Sequence, residues 1–108
     1  GPYTFILPAS RQVPKILKSK KDTIGLRVPD NKICMDLLSA LNHPLLSTSL
    51  PGEMIEEFTD PDYIYQNFDN MVDAVVDGGP GGFIPSTVVD CTTPDWTVLR
   101  EGLGEWRA

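Results

Sequence analysis

Histidine occurs once in these 108 residues and cysteine twice. Cys34 and Cys91 have neither metal-ligand nor CxxC spacing, so no metal centre is expected. Both are read as small buried hydrophobes of a protein in the reducing cytoplasm. The single histidine, His43, stands in a loop beside Pro44, a structural setting rather than a catalytic one. No apolar run approaches the roughly 20 residues of a membrane-spanning helix, and no charged-then-apolar leader is seen, so no membrane partner is expected. Positive charge is scarce as well: 9 Lys and Arg stand against 15 Asp and Glu, for a net charge of −6. A surface that grips nucleic acid through its phosphates carries a basic patch, and this balance argues against a general one. Only Lys15, Lys18, Lys20 and Lys21 cluster, with Arg11 just before them, and they read as a solvated loop or helix face. Gly78-Gly-Pro-Gly-Gly82 lacks the GK[ST] ending and the following helix of a phosphate-cradling loop, and reads as a flexible connection. There is no internal repeat and no low-complexity tail.

What the chain does hold is an ordinary globular share of apolar residues, 41%, enough for one small domain with a modest core. Its organising stretch is Pro44-Leu-Leu-Ser-Thr-Ser-Leu-Pro-Gly52. Leu45, Leu46 and Thr48 suit a buried strand, and Ser47 and Ser49 project from alternate positions onto one face. Small hydroxyls at the end of such a strand leave a polar, uncrowded spot. Open α/β sheets bind anions and substrates at such spots, just beyond a strand's carboxyl end. A strand running into an ST-turn, with hydroxyls serving only local backbone, accounts for the same residues.

Taken in order, Tyr3–Leu7 is an aromatic and β-branched strand that Pro8 stops. A polar connection, Ser10–Asp22, holds one short helix starting at Pro14. Thr23–Val28 alternates, with Ile24, Leu26 and Val28 on one face and Thr23, Gly25 and Arg27 on the other. A helix over 31–41 buries Ile33, Cys34, Leu37, Leu38 and Leu41 and ends at Asn42-His-Pro44. The acidic stretch 52–59, with Glu53, Glu56 and Glu57 around Met54 and Ile55, reads as a solvated loop. Asp60-Pro61-Asp62 starts a second helix, with a capping Asp, Pro in the first turn and a further acid at the positive dipole end. That helix buries Ile64 and Phe68 and runs to about Asn70. Val72–Asp77, Ser86–Asp90 and Thr97–Arg100 complete the strands, and Trp96 and Trp106 cover core edges. The architecture expected is three-layered α/β, a twisted mixed sheet with helices over it.

Five motifs occur in a telling order. They are Gly1-Pro-Tyr-Thr-Phe-Ile-Leu-Pro-Ala9, Ile24-Gly-Leu-Arg-Val-Pro-Asp30, the Ser-Thr-Ser turn, Pro85-Ser-Thr-Val-Val-Asp90 and Leu99-Arg-Glu-Gly102. Together they resemble the YrdC/YciO family of threonylcarbamoyl-adenylate synthases and their relatives, and the YciO branch in particular. The resemblance implies the open sheet shared with a riboflavin-pathway synthase. In the family the Gly1-Pro-Tyr-Thr motif lies near the middle of the domain, and the half carrying a Lys-x-Arg nucleotide motif has no counterpart here. The expectation is therefore a single partial domain over 1–108, the C-terminal half. Gly1-Pro2 can also be read as a cleavage scar, although it fits the family motif.

The family reaction joins threonine, bicarbonate and ATP into threonylcarbamoyl-adenylate and pyrophosphate, for N6-threonylcarbamoyl modification of adenosine in tRNA. The resemblance implies ATP with magnesium as a substrate complex and no tightly bound cofactor. Arg27, Ser47, Ser49, Ser86 and Arg100 match the family's ligand motifs. Arg27 would hold the substrate carboxylate or phosphates, the serines would donate to nucleotide or acyl-phosphate oxygens, and Arg100 would approach the nucleotide. For either arginine, a surface ion pair is the plainer alternative. Where the family's Ser-Thr-Ser-Ala-Asn motif has asparagine, this chain has Pro51, which lacks both an amide side chain and a backbone N–H. Arg27, Ser49 and Ser86 are expected to line one concave surface at strand ends. A non-catalytic module binding tRNA or double-stranded RNA is the alternative function. Either way the chain is expected to associate with the remaining half or with itself.

Overall fold

In the computed structural model, which describes residues 1–52 and 55–106, the first run of aromatic and β-branched residues forms strand β1 (Tyr3–Pro8). Strand β2 (Thr23–Leu26) returns antiparallel to it, with Ile6 opposite Gly25 and Phe5 opposite Leu26. Strand β3 (Thr87–Asp90) lies on the other side of β1 and parallel to it, with Tyr3 opposite Thr87 and Thr4 opposite Val88. Strand β4 (Thr97–Arg100) closes the order β2-β1-β3-β4, antiparallel to β3, with a register shift at Val88/Val89. Two helices, α1 (Lys32–Leu41) and α2 (Pro61–Phe68), complete an α/β fold built on this mixed, open four-stranded sheet.

The chain divides into two compact units, and the sheet belongs to the one made of Gly1–Asn31 and Ile84–Ala108. Its core centres on β3, where Val89 is fully buried and Thr87 and Ser86 are buried beside it. Register sorts the side chains onto two faces. Tyr3 and Phe5 share one face with Thr87 and Val89, and there Trp106 packs edge-on against both rings while stacking on Trp96 at 5.9 Å. The tryptophans thus cover the edge of the core, as the sequence suggests. The segment after β4 is tied across the start of β3. Thr87 Oγ1 donates to Gly104 O at 2.5 Å and accepts from Gly102 N at 3.1 Å, and Leu103 N donates to Pro85 O at 2.9 Å. The approach is so close that a Cβ on Gly102 would lie 2.3 Å from Pro85 O.

The second unit, Lys32–Phe83, carries the helices. In α2 the sequence signals act as physics requires: the Asp60 carboxylate accepts from Asp62 N at 3.0 Å and Pro61 opens the first turn. The 3-10 turn Glu56–Thr59 precedes it, and Phe58 packs its ring on Tyr63 and Phe68. Asn42 ends α1 in the left-handed region, at φ 57°, a conformation asparagine tolerates better than most residues.

Several expectations are corrected. Leu45, Leu46 and Thr48 form no strand; Leu46 is 79% exposed, and Ser47 and Ser49 are exposed with it. Val72–Asp77 forms no strand either. Both runs have strand-like composition but find no partner strand to hydrogen-bond, and composition alone does not make a ladder. The stripe of α1 is not buried: Ile33, Leu37 and Leu41 are 42%, 48% and 41% exposed. Cys34 is likewise exposed and Cys91 half-buried, and the two form no disulfide with each other. β2 stops at Leu26 rather than Val28, and α2 at Phe68 rather than near Asn70. The helix expected at Pro14 is a single 3-10 turn, Lys15–Leu17. Glu53 and Met54 of the acidic loop lie outside the described residues.

Candidate anion-binding site

On the sheet face opposite the aromatic rings, Thr4 and Val88 sit side by side on β1 and β3. Ser86, the residue before β3 begins, brings its hydroxyl to 2.7 Å from Thr4 Oγ1. Arg100, the last residue of β4, folds its guanidinium onto Ser86. Nε and Nη2 donate to the Ser86 carbonyl at 3.0 and 2.7 Å, and Nη2 also donates to Ser86 Oγ at 3.0 Å. A guanidinium offers five N–H donors in a planar fork. The inner edge of this one is spent on Ser86, which aims the remaining Nη1 group away from it. Among the described residues Arg100 forms no ion pair; its contact is Ser86.

The same face carries Gly25 on β2: a Cβ there would meet Thr4 and Ile6 side chains at 3.4 Å. Arg27, just past the end of β2, continues the phase of Gly25. Its Nε donates to Gly1 O at 3.3 Å. β2 and β4 both run antiparallel to the central pair. Their carboxyl ends therefore lie at the amino ends of β1 and β3, and this is where Arg27, Ser86 and Arg100 gather. The sheet order puts the two arginines on opposite outer strands. Three interstrand steps separate them, about 14 Å of backbone. Two hydroxyls, of Thr4 and Ser86, fill the interval.

Of the five residues singled out from the sequence, Ser86 and Arg100 are in direct contact, and Arg27 shares their face and end of the sheet. Ser47 and Ser49 belong to the unit Lys32–Phe83, in an exposed, irregular stretch after α1. The cluster stands at the amino ends of the parallel strands, because Ser86 precedes β3 and both arginines arrive on antiparallel strands. Thr4 joins them as a residue outside those five. Its signal was a hydroxyl in an otherwise apolar run, in the phase opposite Tyr3 and Phe5.

The other face is chemically different. A hollow of about 360 Å³ there is lined by Thr87, Val98, Glu101, Glu105 and Trp106. Its carboxylates would repel an anion, which favours the arginine face for anionic ligands. At the far end of the sheet, Asp90 accepts from Thr92 N at 3.0 Å and Thr92 Oγ1 at 2.6 Å, which holds its carboxyl below the usual range. That pair is a local turn closed on itself. His43 likewise spends Nδ1 on the Pro44 carbonyl, at 2.8 Å, consistent with a structural role. Among the described residues no helix is long and apolar enough to cross a membrane.

Known proteins share this arrangement of elements. An uncharacterized protein of Haemophilus influenzae is 50% identical over 107 residues, covering 96% of this chain and 52% of that protein. The crystal structure of Escherichia coli YciO superposes with a TM-score of 0.89 at 45% identity, over 97% of this chain and 52% of its own. The crystal structure of Pyrococcus abyssi Sua5 complexed with L-threonine superposes with a TM-score of 0.83 at 28% identity, over 94% of this chain and 30% of that one. A Pyrococcus abyssi threonylcarbamoyl-AMP synthase is likewise 28% identical over 103 residues. The chain thus spans about half the length of the first relatives it matches, and less of the last. A family model described as Telomere recombination, which groups Sua5, YciO and YrdC proteins, matches residues 1–102. That match takes in the whole sheet and the arginine cluster: the chain belongs to the Sua5/YciO/YrdC family.

Proposed function

We propose that this chain supplies an anion-binding surface for a threonylcarbamoyl-AMP synthase-like protein. In that reading the full protein joins threonine, bicarbonate and ATP into threonylcarbamoyl-adenylate and pyrophosphate, and the product serves tRNA modification. The observation that carries the proposal is the pairing of Arg27 with the Ser86-anchored Arg100, on one face and at one end of the sheet. The reaction needs two separated anion sites, one for the amino acid's carboxylate and one for the nucleotide's phosphates. Arg27 takes the first role and Arg100 the second; Ser47 and Ser49 are assigned to nucleotide or acyl-phosphate oxygens on the family motif alone. Such a step depends on positioning and on neutralising phosphate charge, and fixed guanidinium groups provide both. The resemblance to the Sua5 protein, whose structure holds L-threonine, supports threonine as the amino acid.

Calorimetric titration of the chain with ATP and with L-threonine tests this. Arg100→Ala is expected to weaken ATP, and Arg27→Ala threonine, by roughly tenfold to a hundredfold, the loss of one charge-assisted contact. Absence of binding by the unaltered chain, or equal affinities in all three proteins, would remove these arginines from the site.

A further inference from the structure

Arg100 ends its strand on the sheet surface, where an arginine side chain ordinarily samples many rotamers. Here it is held by an unusual device. Ser86 lends it both a carbonyl and a hydroxyl, and Ser86 is itself buried. A guanidinium has donors only, so Ser86 Oγ must turn a lone pair towards it. A free hydroxyl rotor could equally turn its proton there. What fixes that rotor is Thr4, 2.7 Å away across the β1–β3 pair: with Ser86 Oγ donating to Thr4 Oγ1, its proton is held away from the guanidinium and a lone pair faces it. We infer that Thr4 is a positioning residue, which acts through Ser86 to hold the Arg100 guanidinium with its outer edge presented to ligand. The inference rests on the reading of Arg100 as a phosphate-binding group. It explains why a strand of apolar residues carries one hydroxyl on this face.

Three variants and two measurements test it. Thr4→Val keeps the branched shape and removes the hydroxyl, Thr4→Ser restores the hydroxyl without the methyl, and Arg100→Ala removes the group being positioned. The first measurement needs no ligand: the Nε–H proton signal of Arg100 in solution NMR. It is expected to be sharp and slow to exchange in the unaltered chain and in Thr4→Ser, and broadened in Thr4→Val. The second is ATP affinity by calorimetry, expected to fall about fivefold to tenfold in Thr4→Val and to recover in Thr4→Ser. Thr4→Ala repeats the deletion should the valine variant fold poorly. An Arg100 signal unchanged by loss of the Thr4 hydroxyl overturns the inference. If Arg100→Ala weakens ATP but Thr4→Val does not, the positioning role alone falls. If Arg100→Ala leaves ATP binding intact, the phosphate assignment falls, and the ligand-free signal still decides the role of Thr4.

Discussion

Arg100 and Ser86 form one unit: the guanidinium meets the serine's carbonyl with two nitrogens, at 3.0 and 2.7 Å, and its hydroxyl with one of them, at 3.0 Å. The two residues stand on neighbouring segments at the amino end of β3, so the pair also fastens the end of β4 to the sheet. Lysine has one nitrogen on a flexible stem and cannot reproduce this fork. Arg100→Lys is therefore expected to lower stability by about 1 kcal/mol, the scale of a net hydrogen bond at a partly exposed site. Urea unfolding followed by tryptophan fluorescence reads it directly. An unchanged midpoint would mean that the fork contributes nothing to holding β4.

Two glycines in the segment after β4 are predicted to differ in their intolerance. A Cβ on Gly102 would sit 2.3 Å from the backbone oxygen of Pro85, and one on Gly104 would sit 2.4 Å from the ring of Tyr3. A backbone carbonyl tied into the sheet cannot swing aside, whereas a ring can tilt. Gly102→Ala is expected to cost about 3 kcal/mol and Gly104→Ala about 1–2 kcal/mol. The second substitution should also change tryptophan emission, because Tyr3 packs edge-on against Trp106. Equal midpoints for the two variants would contradict this ranking.

The lowered titration of Asp90 has a named cause, first the Thr92 hydroxyl and then its backbone N–H, opposed by burial and aided by the charge of Lys21. The sign follows from the preference of the fold for the ionised form. Its contribution is complete at pH above the ordinary aspartate range. It is lost as pH falls through that range to the lowered midpoint of Asp90. Carboxyl carbon NMR should therefore show Asp90 titrating below the usual range, and Thr92→Val should move the midpoint upward. A midpoint that stays put would assign the shift to another cause.

Binding and turnover are expected to separate. A triphosphate carries more negative charge than Arg27 and Arg100 together neutralise, and a net charge of −6 adds long-range repulsion. Pro51 brings no donor of its own. Incubated with ATP, magnesium, bicarbonate and threonine, this chain is expected to release no pyrophosphate above background. Release at the rate of a full-length relative would show that these residues hold the whole catalytic apparatus.

Local chemistry was legible, and long-range pairing was not. Asp60-Pro61-Asp62 announces a helix start because cap, proline and dipole all act within one turn. The alternation of Thr23–Leu26 announces a strand because its period needs no partner to be seen. By contrast, Leu45–Thr48 and Val72–Asp77 have the composition of strands, yet a strand exists only where another offers its hydrogen bonds. Amphipathic spacing in α1 was equally plain, but the spacing does not say whether anything covers the stripe. The candidate site was half visible for the same reason. Ser86 and Arg100 lie close in sequence, whereas Thr4 reaches Ser86 across 82 positions, through a parallel pairing that no local pattern encodes.

The placement of β3 between β1 and β4 also bears on the order in which the sheet can be made. A chain synthesised from its amino end produces β1 and β2 before β3, and they can pair across a short connection. The strand that carries Val89 arrives only after the whole segment 27–86 has been added. Until then the other edge of β1 is an unpaired row of N–H and C=O groups beside apolar side chains, the feature that invites pairing with foreign strands. The entropy of closing so long a loop rises only slowly with its length, so the delay burdens folding rate more than final stability. For a newborn chain, the hazardous interval is the time β1 waits for β3.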